Sequence, residues 1–261
     1  MKKMLARLVV QVARAAGCEL IPRWRLRNLA LATRLQALFA LLNVDCVLDV
    51  GANRGQYGTF LRREVGYTGQ IASFEPQPAC LRDLEAEASR DPLWKIYGVA
   101  LGSESGQAPL NIMRTSEFTS FLSPDSSVVP MLAERNTVVQ VETVQVKRLD
   151  EVIGEVRAAS SYRSVYLKLD TQGYDLEVIK GASATLESIA ALQTDVSVLP
   201  IYGSMPDWLT SFHTLKEHGF DVTGLFPVSE DAQLRVVEFD CVAVNAALRR
   251  RLGARADSGP T

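Results

Sequence analysis

The sequence contains few cysteines, and none of them is placed to pair or to bind a metal. The four are scattered without a recurring short spacing, at Cys18, Cys46, Cys80 and Cys241. A zinc site or a disulfide framework needs closely and regularly spaced cysteines, so neither is expected. A reducing, cytoplasmic location is the simpler interpretation, and no metal signature is recognised around the two histidines either.

The chain also lacks a long apolar run and an excess of positive charge. No stretch reaches the roughly 18 apolar residues that a membrane-spanning helix needs. The net charge is −2, and basic residues concentrate near the ends, with eight Lys or Arg in residues 1–40 against the single acid Glu19. The body of the chain is therefore acidic, which argues against a nucleic-acid partner because such a partner needs a basic face.

Residues 1–43 are predicted to form a basic, helical extension. The helical spacing covers residues 3–16 and 25–42. Arg7 and Arg14 leave the apolar stretch too short for a signal peptide. A basic amphipathic helix can rest on an anionic membrane, so peripheral membrane contact through residues 1–40 is one interpretation. The other is a helix packed over the mouth of the domain with its arginines in water.

Apolar, strand-like runs alternate with helical patterns along residues 44–248, which we interpret as one α/β domain. The runs lie at 45–50, 70–75, 94–99, 164–170, 191–199, 220–226 and 236–245. Helical patterns lie at 57–65, 78–90, 173–189 and 207–218. This alternation predicts a mostly parallel, doubly wound seven-stranded sheet. The loop between the last two runs is too short for a parallel crossover, so they should form a C-terminal antiparallel hairpin.

Residues 103–147 interrupt this alternation and are predicted to be an insertion beside the cleft. They contain two β-like stretches, 108–113 and 138–146, around a loop at 115–130 that is rich in serine, threonine and proline. Loops of this length are uncommon unless they are functional or disordered, so mobility is expected. The basic residues 249–261 are predicted to be a disordered tail.

A nucleotide-sized cleft is predicted where the first two strands end. The first strand carries Asp49 and runs into a loop in which Gly51 and Gly55 let the backbone turn sharply and approach a ligand. Asn53 stands where a dinucleotide fingerprint has its second glycine, which weakens a pyrophosphate-binding interpretation. Glu75 ends the second strand and can accept from both hydroxyls of a ribose. Asp49 could accept from a ligand ammonium through water or hold the loop backbone.

A second group of polar residues follows another buried strand. Lys168 and Asp170 have the same parity on that strand, so their side chains should point to one face. Charges there are costly unless they are paired or functional, which makes Asp170 a candidate for chemistry in the cleft. A structural lysine–aspartate pair is the alternative. Gly173 lets the chain turn into the next helix.

Four segments together resemble the FkbM family of methyltransferases, in order and spacing, over about residues 44–245. They read VLDVGANRGQY, SFEPQP, YLKLDTQGYDLEVIKGA and QTDVSVLPIY. The resemblance implies a class I, Rossmann-like methyltransferase fold, S-adenosylmethionine as methyl donor, and an oxygen acceptor that is often on a sugar or a polyketide. The predicted C-terminal hairpin agrees with this plan and departs from that of the usual dinucleotide-binding domain.

The resemblance also implies two sets of site residues by position. The donor site would comprise Asp49, Gly51, Asn53, Gly55 and Glu75. The motif facing the transferred methyl group would comprise Lys168, Asp170, Gln172 and Gly173, of which we count the last two as cofactor-binding. The sequence departs from many members of the family at Gln172 and Asp195, where those members carry glutamate.

The reaction requires mainly that the acceptor oxygen, the methyl carbon and the sulfur are aligned and that water is excluded. A carboxylate can take the acceptor's proton, and we predict Asp170 as the base or as the group that orients the acceptor. Asp195 is the second candidate, with Lys168 beside both. A divalent ion shared by the two aspartates stays an open alternative.

The predicted function is therefore O-methylation of a small-molecule or lipid-linked sugar in a glycolipid or secondary metabolite. Two rival functions are a nicotinamide-dependent oxidoreductase and a non-catalytic binding or assembly protein that kept the fold. Asn53 and the predicted hairpin argue against the first rival. The donor-site residues argue against the second.

Overall fold

A computed structural model describes residues 11–250, except residues 14, 19, 160 and 161. Most of the predicted helix at 3–16 lies outside the described residues, as does the predicted tail at 249–261 apart from residues 249 and 250, which are helical. The second predicted helix, at 25–42, is resolved into a 3₁₀ turn at Arg23–Arg25 and a longer α-helix.

The named elements of the described residues include ten strands and six α-helices. The helices are α1 (Leu29–Leu42), α2 (Gln56–Phe60, continued by a π-helical turn at Leu61–Val65), α3 (Pro78–Ala88), α4 (Leu149–Ala159), α5 (Asp175–Gly181) and α6 (Trp208–Glu217). The strands are β1 (Cys46–Val50), β2 (Gln70–Phe74), β3 (Trp94–Tyr97), β4 (Ala100–Leu101), β5 (Gly106–Met113), β6 (Val138–Lys147), β7 (Val165–Leu169), β8 (Ile189–Ser197), β9 (Phe220–Glu230) and β10 (Val236–Asn245).

Seven strands form the central sheet in the order β3-β2-β1-β7-β8-β10-β9. The first five are parallel, whereas β10 is antiparallel to both β8 and β9. The predicted doubly wound, seven-stranded sheet with a C-terminal antiparallel hairpin is thus confirmed. Because β1 and β7 are neighbours and the chain crosses between them, their carboxyl ends meet at a topological switch point, where such sheets bind ligands.

Helices cover both faces of the sheet, which explains why β1 and β7 are apolar almost throughout and fully buried. On one face Leu48 and Leu167 pack with α4, α5 and α6. On the other face Val47 and Tyr166 pack with α1, α2 and α3. Each large side chain buried in this way contributes roughly 1.5–3 kcal/mol, so the two layers fix the strand ends that carry the site.

Helix α1 packs its apolar side on the sheet, and arginines on the helix and just before it bond the body of the domain. Leu35 is fully buried, and the Phe39 ring meets the Tyr166 ring edge-on with centroids 4.8 Å apart. The Arg25 and Arg34 guanidinium groups donate to backbone carbonyl oxygens of the body, at 2.9 and 3.2 Å. In the described part of the extension, the helix therefore packs on the sheet, and these two arginines bond the body of the domain instead of lying in water.

The insertion is more regular than the sequence indicated. The predicted stretches 108–113 and 138–146 lie in β5 and β6, which pair with β4 in a second, three-stranded sheet. Helix α4 follows directly and was not predicted. The predicted helix at 173–189 is also shorter, because Gly181 packs on the backbone of Gly102 and Asp150 accepts hydrogen bonds from the amides of the turn that follows.

Candidate functional site

A cavity of about 420 Å³ opens at the carboxyl ends of β1, β2, β7 and β8. Its wall includes the loop after β1, the insertion around residues 116–121, the hairpin β9–β10, and Arg27 from the extension. A cavity of this size is typical of sites for nucleosides and other small ligands. Six predicted site residues line it: Gly51, Asn53, Glu75, Asp170, Gln172 and Asp195.

Gly51 is needed for close packing between the two loops at the switch point. Its φ is +79°, and a Cβ built on it would lie 2.0 Å from the carbonyl oxygen of Asp170. The glycine therefore lets the β1 loop lie against the β7 loop, in addition to lining the cavity where close approach of a ligand was predicted. Gly55, with φ +87°, does not line the cavity and instead packs against Leu84 and Trp94.

Glu75 is held in place by two backbone amides. Its carboxyl group is 6% exposed and lines the cavity. Oε2 accepts from the Asn53 amide and Oε1 accepts from the Gln77 amide, both at 2.8 Å. Burial raises the pKa of Glu75 to about 7, although the two amides act to lower it. Each oxygen keeps a lone pair beyond its backbone bond, so the fixed carboxylate can accept two further hydrogen bonds from a ligand.

Asp49, predicted to accept from a ligand ammonium through water or to hold the loop backbone, does not line the cavity. It lies inside β1 and accepts from Ser73 Oγ on β2 at 2.9 Å. Ser73 Oγ in turn accepts from Trp94 Nε1 at 2.9 Å, so the three side chains link β1, β2 and β3. Burial raises the pKa of Asp49 to about 6. Its contacts therefore brace the strands behind the cavity.

Lys168 is buried beneath Asp170 and Asp195. Its Nζ lies 3.2 Å from Asp170 Oδ2 and 3.9 Å from Asp195 Oδ1, and donates to the Leu169 carbonyl at 3.0 Å. The lysine side chain is 3% exposed, whereas that of Asp170 is 40% exposed. Lys168 therefore cannot reach a ligand, and its effect on the site is to balance the charge of the two acids above it.

The two aspartates have opposite pKa shifts. Burial favours the neutral form of Asp170, but the Lys168 ammonium outweighs it and holds the pKa of Asp170 below its usual range. Burial and the charge of Asp170 raise the pKa of Asp195 well above its usual range. Asp170 is thus the member of the pair whose charged form is favoured, and Asp195 the member whose neutral form is favoured.

Two further acids complete this group and were missed from the sequence. Asp240 on β10 lies directly opposite Asp195 on β8, and Glu238 lies opposite Ser197. The charges of Asp170 and Asp240 both raise the pKa of Asp195. We call the four carboxyl groups, with Lys168, the acid cluster. Their common parity within the run 236–245 was the only available signal, since pairing with β8 is not visible in the sequence.

Gln172 joins three parts of the site. Its Nε2 donates to Asp170 Oδ1 at 3.0 Å, and its Oε1 accepts from the Tyr202 hydroxyl at 2.8 Å. Its carbonyl accepts from Ser120 Oγ of the insertion at 2.7 Å. This donation requires the amide of glutamine, because a glutamate carboxylate at position 172 would have no hydrogen to donate to Asp170. Gly173, with φ +87°, packs against the insertion and does not line the cavity.

Asp175 supports the cluster from below, and the sequence analysis gave it no role. Its carboxyl group accepts from the Thr171 amide at 2.8 Å, from Thr194 Oγ1 at 2.6 Å, and from the Asp195 amide at 3.2 Å. It therefore fixes the ends of β7 and β8 relative to one another. Among the described residues, no group of three or more His, Cys, Asp or Glu side chains has an arrangement that could hold a metal ion.

The strand order and the cavity at the switch point define a class I S-adenosylmethionine-dependent methyltransferase. The sequence also matches the Methyltransferase FkbM domain over residues 49–222, more than half of the chain. The chain therefore belongs to the FkbM methyltransferase family, and its methyl donor is S-adenosylmethionine. This membership decides against the nicotinamide-dependent oxidoreductase.

Solved structures that resemble this chain share little sequence with it. Fibrillarin from Aeropyrum pernix, in complex with natively bound S-adenosyl-L-methionine, is 12% identical, with a TM-score of 0.44 over 82% of this chain and 74% of its own. Magnesium protoporphyrin IX methyltransferase from Synechocystis PCC 6803 is 10% identical, with a TM-score of 0.45 over 89% of this chain and 88% of its own. No curated protein matches the chain.

No helix among the described residues is both long enough and apolar enough to cross a membrane.

Proposed function

We propose that this methyltransferase transfers the methyl group to a hydroxyl oxygen of a sugar, on a glycolipid or another secondary metabolite. The observation that carries the proposal is that one cavity contains both a fixed carboxylate suited to a ribose, at Glu75, and a charged, accessible carboxylate suited to an acceptor hydroxyl, at Asp170. S-adenosylmethionine supplies an activated methyl group when bound. The protein has to position the acceptor and exclude water.

The donor half of the cavity fits the nucleoside part of S-adenosylmethionine. Glu75 would accept from the two ribose hydroxyls with the lone pairs that its backbone bonds leave free. The Asn53 amide already bonds Glu75, and Asn53 Oδ1 accepts from Ser116 Oγ of the insertion at 3.1 Å. The insertion therefore closes over the donor half, which would keep water from the reacting atoms.

The acceptor half combines charge with aromatic surface. Phe118 and Phe121 line the cavity, and the Arg135 guanidinium lies 4.9 Å from the centroid of the Phe118 ring. Aromatic rings next to hydrogen-bonding groups suit the apolar faces and hydroxyls of a sugar. Asp170 would accept a hydrogen bond from the acceptor hydroxyl and orient it, while Lys168 keeps that carboxylate charged.

Loss of the Asp170 charge should slow the reaction strongly while the protein still folds. In a strain that lacks this protein, mass spectrometry of extracts should show one glycan or metabolite lighter by one methylene group. The wild-type protein should restore its mass, whereas Asp170→Asn should be slower by about 10²-fold or more, because an oriented charged acceptor is lost. Asp83→Asn is the matched control, since its exposed ion pair with Arg54 contributes little.

Two results would contradict this proposal. If no extract of the deficient strain contained a lighter product, O-methylation would be wrong. If Asp170→Asn restored the product as fast as the wild-type protein, the chain would act as a non-catalytic member of the fold.

Peripheral membrane contact through residues 1–40 is a second, separate proposal that rests on charge alone. This segment contains eight Lys or Arg and one acid. Each basic residue near an anionic membrane surface contributes about 1 kcal/mol of binding free energy. Full-length protein should float with phosphatidylserine-containing vesicles at low salt. Equal flotation of full-length protein and of protein lacking residues 1–40 would end the idea.

A further inference from the structure

Glu238 has an unusual position for a half-buried carboxyl group. A member of the acid cluster, it lines the cavity, and within the described part of the chain no donor forms a hydrogen bond or ion pair with its carboxyl oxygens. Its cross-strand neighbour Ser229 also lines the cavity, and Ser229 Oγ is buried without a hydrogen-bond partner among the described residues. Two adjacent polar groups therefore face the cavity with bonding capacity to spare.

The backbone is irregular where these two residues meet. The pairing of β9 with β10 shifts register on both sides of Glu238, between Val236 and Glu238 and again between Glu238 and Phe239. Such bulges redirect a side chain and are common beside active sites. Against β8 the pairing is regular, with Glu238 opposite Ser197 and Asp240 opposite Asp195, so Glu238 lies on the same face as Asp240. The irregularity lies in its pairing with β9, the strand that carries Ser229.

The other acids of the cluster are poorly suited to take a proton. Asp195 already lies 3.9 Å from the Lys168 ammonium, and burial and the charge of Asp170 favour its neutral form, which cannot accept a proton. Asp170 is engaged by Lys168 and by Gln172 Nε2, and its pKa is held low, so it is a weak base. Asp240 accepts from Gln193 Nε2 and does not line the cavity.

We infer that Glu238 is the catalytic base that accepts the proton of the acceptor hydroxyl, an inference that rests on the proposed function. The hydroxyl O–H bond breaks and its proton moves to the Glu238 carboxylate. The electron pair of the oxygen forms the bond to the methyl carbon, and the pair of the broken carbon–sulfur bond stays on sulfur. The proton then leaves Glu238 for solvent after the product has departed.

The environment of Glu238 agrees with this role. Burial, and then the charge of Asp170, raise the pKa of its carboxyl group to about 7. A base whose pKa lies near the working pH is charged often enough to act and basic enough to take a proton. Ser229 Oγ can bond either the Glu238 carboxyl group or the acceptor, which gives the hydroxyl a second contact.

The test uses a saturating concentration of methyl-labelled S-adenosylmethionine, so that the pH dependence of donor binding does not contribute, and an extract of the deficient strain as the source of acceptor, from pH 5.5 to 9. With wild-type protein, label transfer should rise with pH through about 7 and then level off. Glu238→Gln should lower the transfer rate by about 10²–10⁴-fold and remove this rise. Calorimetry should show that it still binds S-adenosylhomocysteine with an affinity within about twofold of wild type, since no donor contact is removed.

Two variants keep the result interpretable. Glu230→Gln changes an exposed glutamate on the same hairpin and should match wild type at every pH. Glu238→Asp keeps a carboxyl group, so it should retain the rise with pH at a reduced rate, and it decides the matter if the glutamine variant does not fold. The inference fails if Glu238→Gln keeps the wild-type rate and pH profile, or if Glu238→Asp loses the rise. Absence of transfer by wild-type protein itself would instead contradict the proposed function.

Discussion

Replacing Glu75 with glutamine should weaken binding of S-adenosylhomocysteine by roughly 100-fold or more, because hydrogen bonds to a charged group contribute about 1.5–3 kcal/mol each. The amide has one acceptor oxygen, whereas the carboxylate now receives two backbone amides and would receive two ribose hydroxyls. The amide NH₂ would face either the Asn53 or the Gln77 amide, donor against donor. Isothermal titration calorimetry measures this loss directly.

The same variant should alter the pH dependence of binding. The ribose hydroxyls favour the ionised form of Glu75, whose pKa is about 7, so affinity in the wild-type protein should increase from pH 6 to pH 8. In Glu75→Gln this dependence should vanish. Glu85→Gln on the exposed side of α3 is the control and should leave both affinity and pH profile unchanged. Unchanged affinity in Glu75→Gln would show that this carboxylate does not hold the donor.

Replacing Lys168 with methionine should destabilise the protein by about 3–5 kcal/mol at pH 8, the usual cost of breaking a buried ion pair. Four nearby aspartates, at positions 170, 175, 195 and 240, raise the pKa of Lys168 although burial lowers it. Without the ammonium, the charges of Asp170 and its neighbours lose their only close, buried counter-charge among the described residues. Urea unfolding followed at two pH values measures the difference.

The loss in Lys168→Met should depend on pH. In the wild-type protein, Asp195 and Glu238 have raised pKa values, so their contribution to the free energy of unfolding is present below about pH 4 and is lost as pH rises, for Glu238 through about 7. Removing the lysine raises the pKa of Asp170 as well, so the free energy of unfolding decreases more steeply with pH in the variant. The variant should therefore be closest to wild type near pH 5, where these acids take up protons.

Lys180→Met provides the comparison, because Lys180 is 62% exposed and pairs with Glu177 on the surface of the same layer. Its loss should be small and nearly independent of pH. If Lys168→Met lost the same stability at pH 5 and pH 8, the effect would come from packing of the aliphatic stem, and charge balance in the acid cluster would be the wrong explanation.

The sequence predicts the sheet well because each strand leaves a local signal. Apolar runs of four to eight residues alternate with helical periods, and a short loop allows only an antiparallel hairpin. Helix α4 was missed because it follows β6 without a loop, so its pattern merged with the insertion. The insertion itself became ordered in the structure through pairing of β5 with β6, which are separated by a long loop that hides their partnership.

The site was less predictable because its members depend on side-chain direction and on pairing between distant strands. Asp49 lies within β1, one residue before its end, so it points at Ser73 of the neighbouring strand instead of into the cavity. Glu238 shares the parity of Asp240 on β10, but only the pairing of β10 with β8 brings the two acids to Asp195, and that pairing cannot be read from the sequence. Most predicted residues on the loops after β1, β2 and β7 do line the cavity, since loops at the carboxyl ends of parallel strands meet at one edge, whereas Gly55 and Gly173 pack away from it.

The unequal number of acids and bases around the cavity has a consequence for turnover. Its wall carries Glu75, Glu117, Asp170, Asp195 and Glu238 against the basic residues Arg27 and Arg135. A negatively biased wall attracts a positively charged sulfonium more strongly than the neutral thioether that remains after transfer. The wall therefore binds S-adenosylhomocysteine less tightly than S-adenosylmethionine. Loss of the sulfonium charge during transfer thus favours replacement of the spent product by fresh donor.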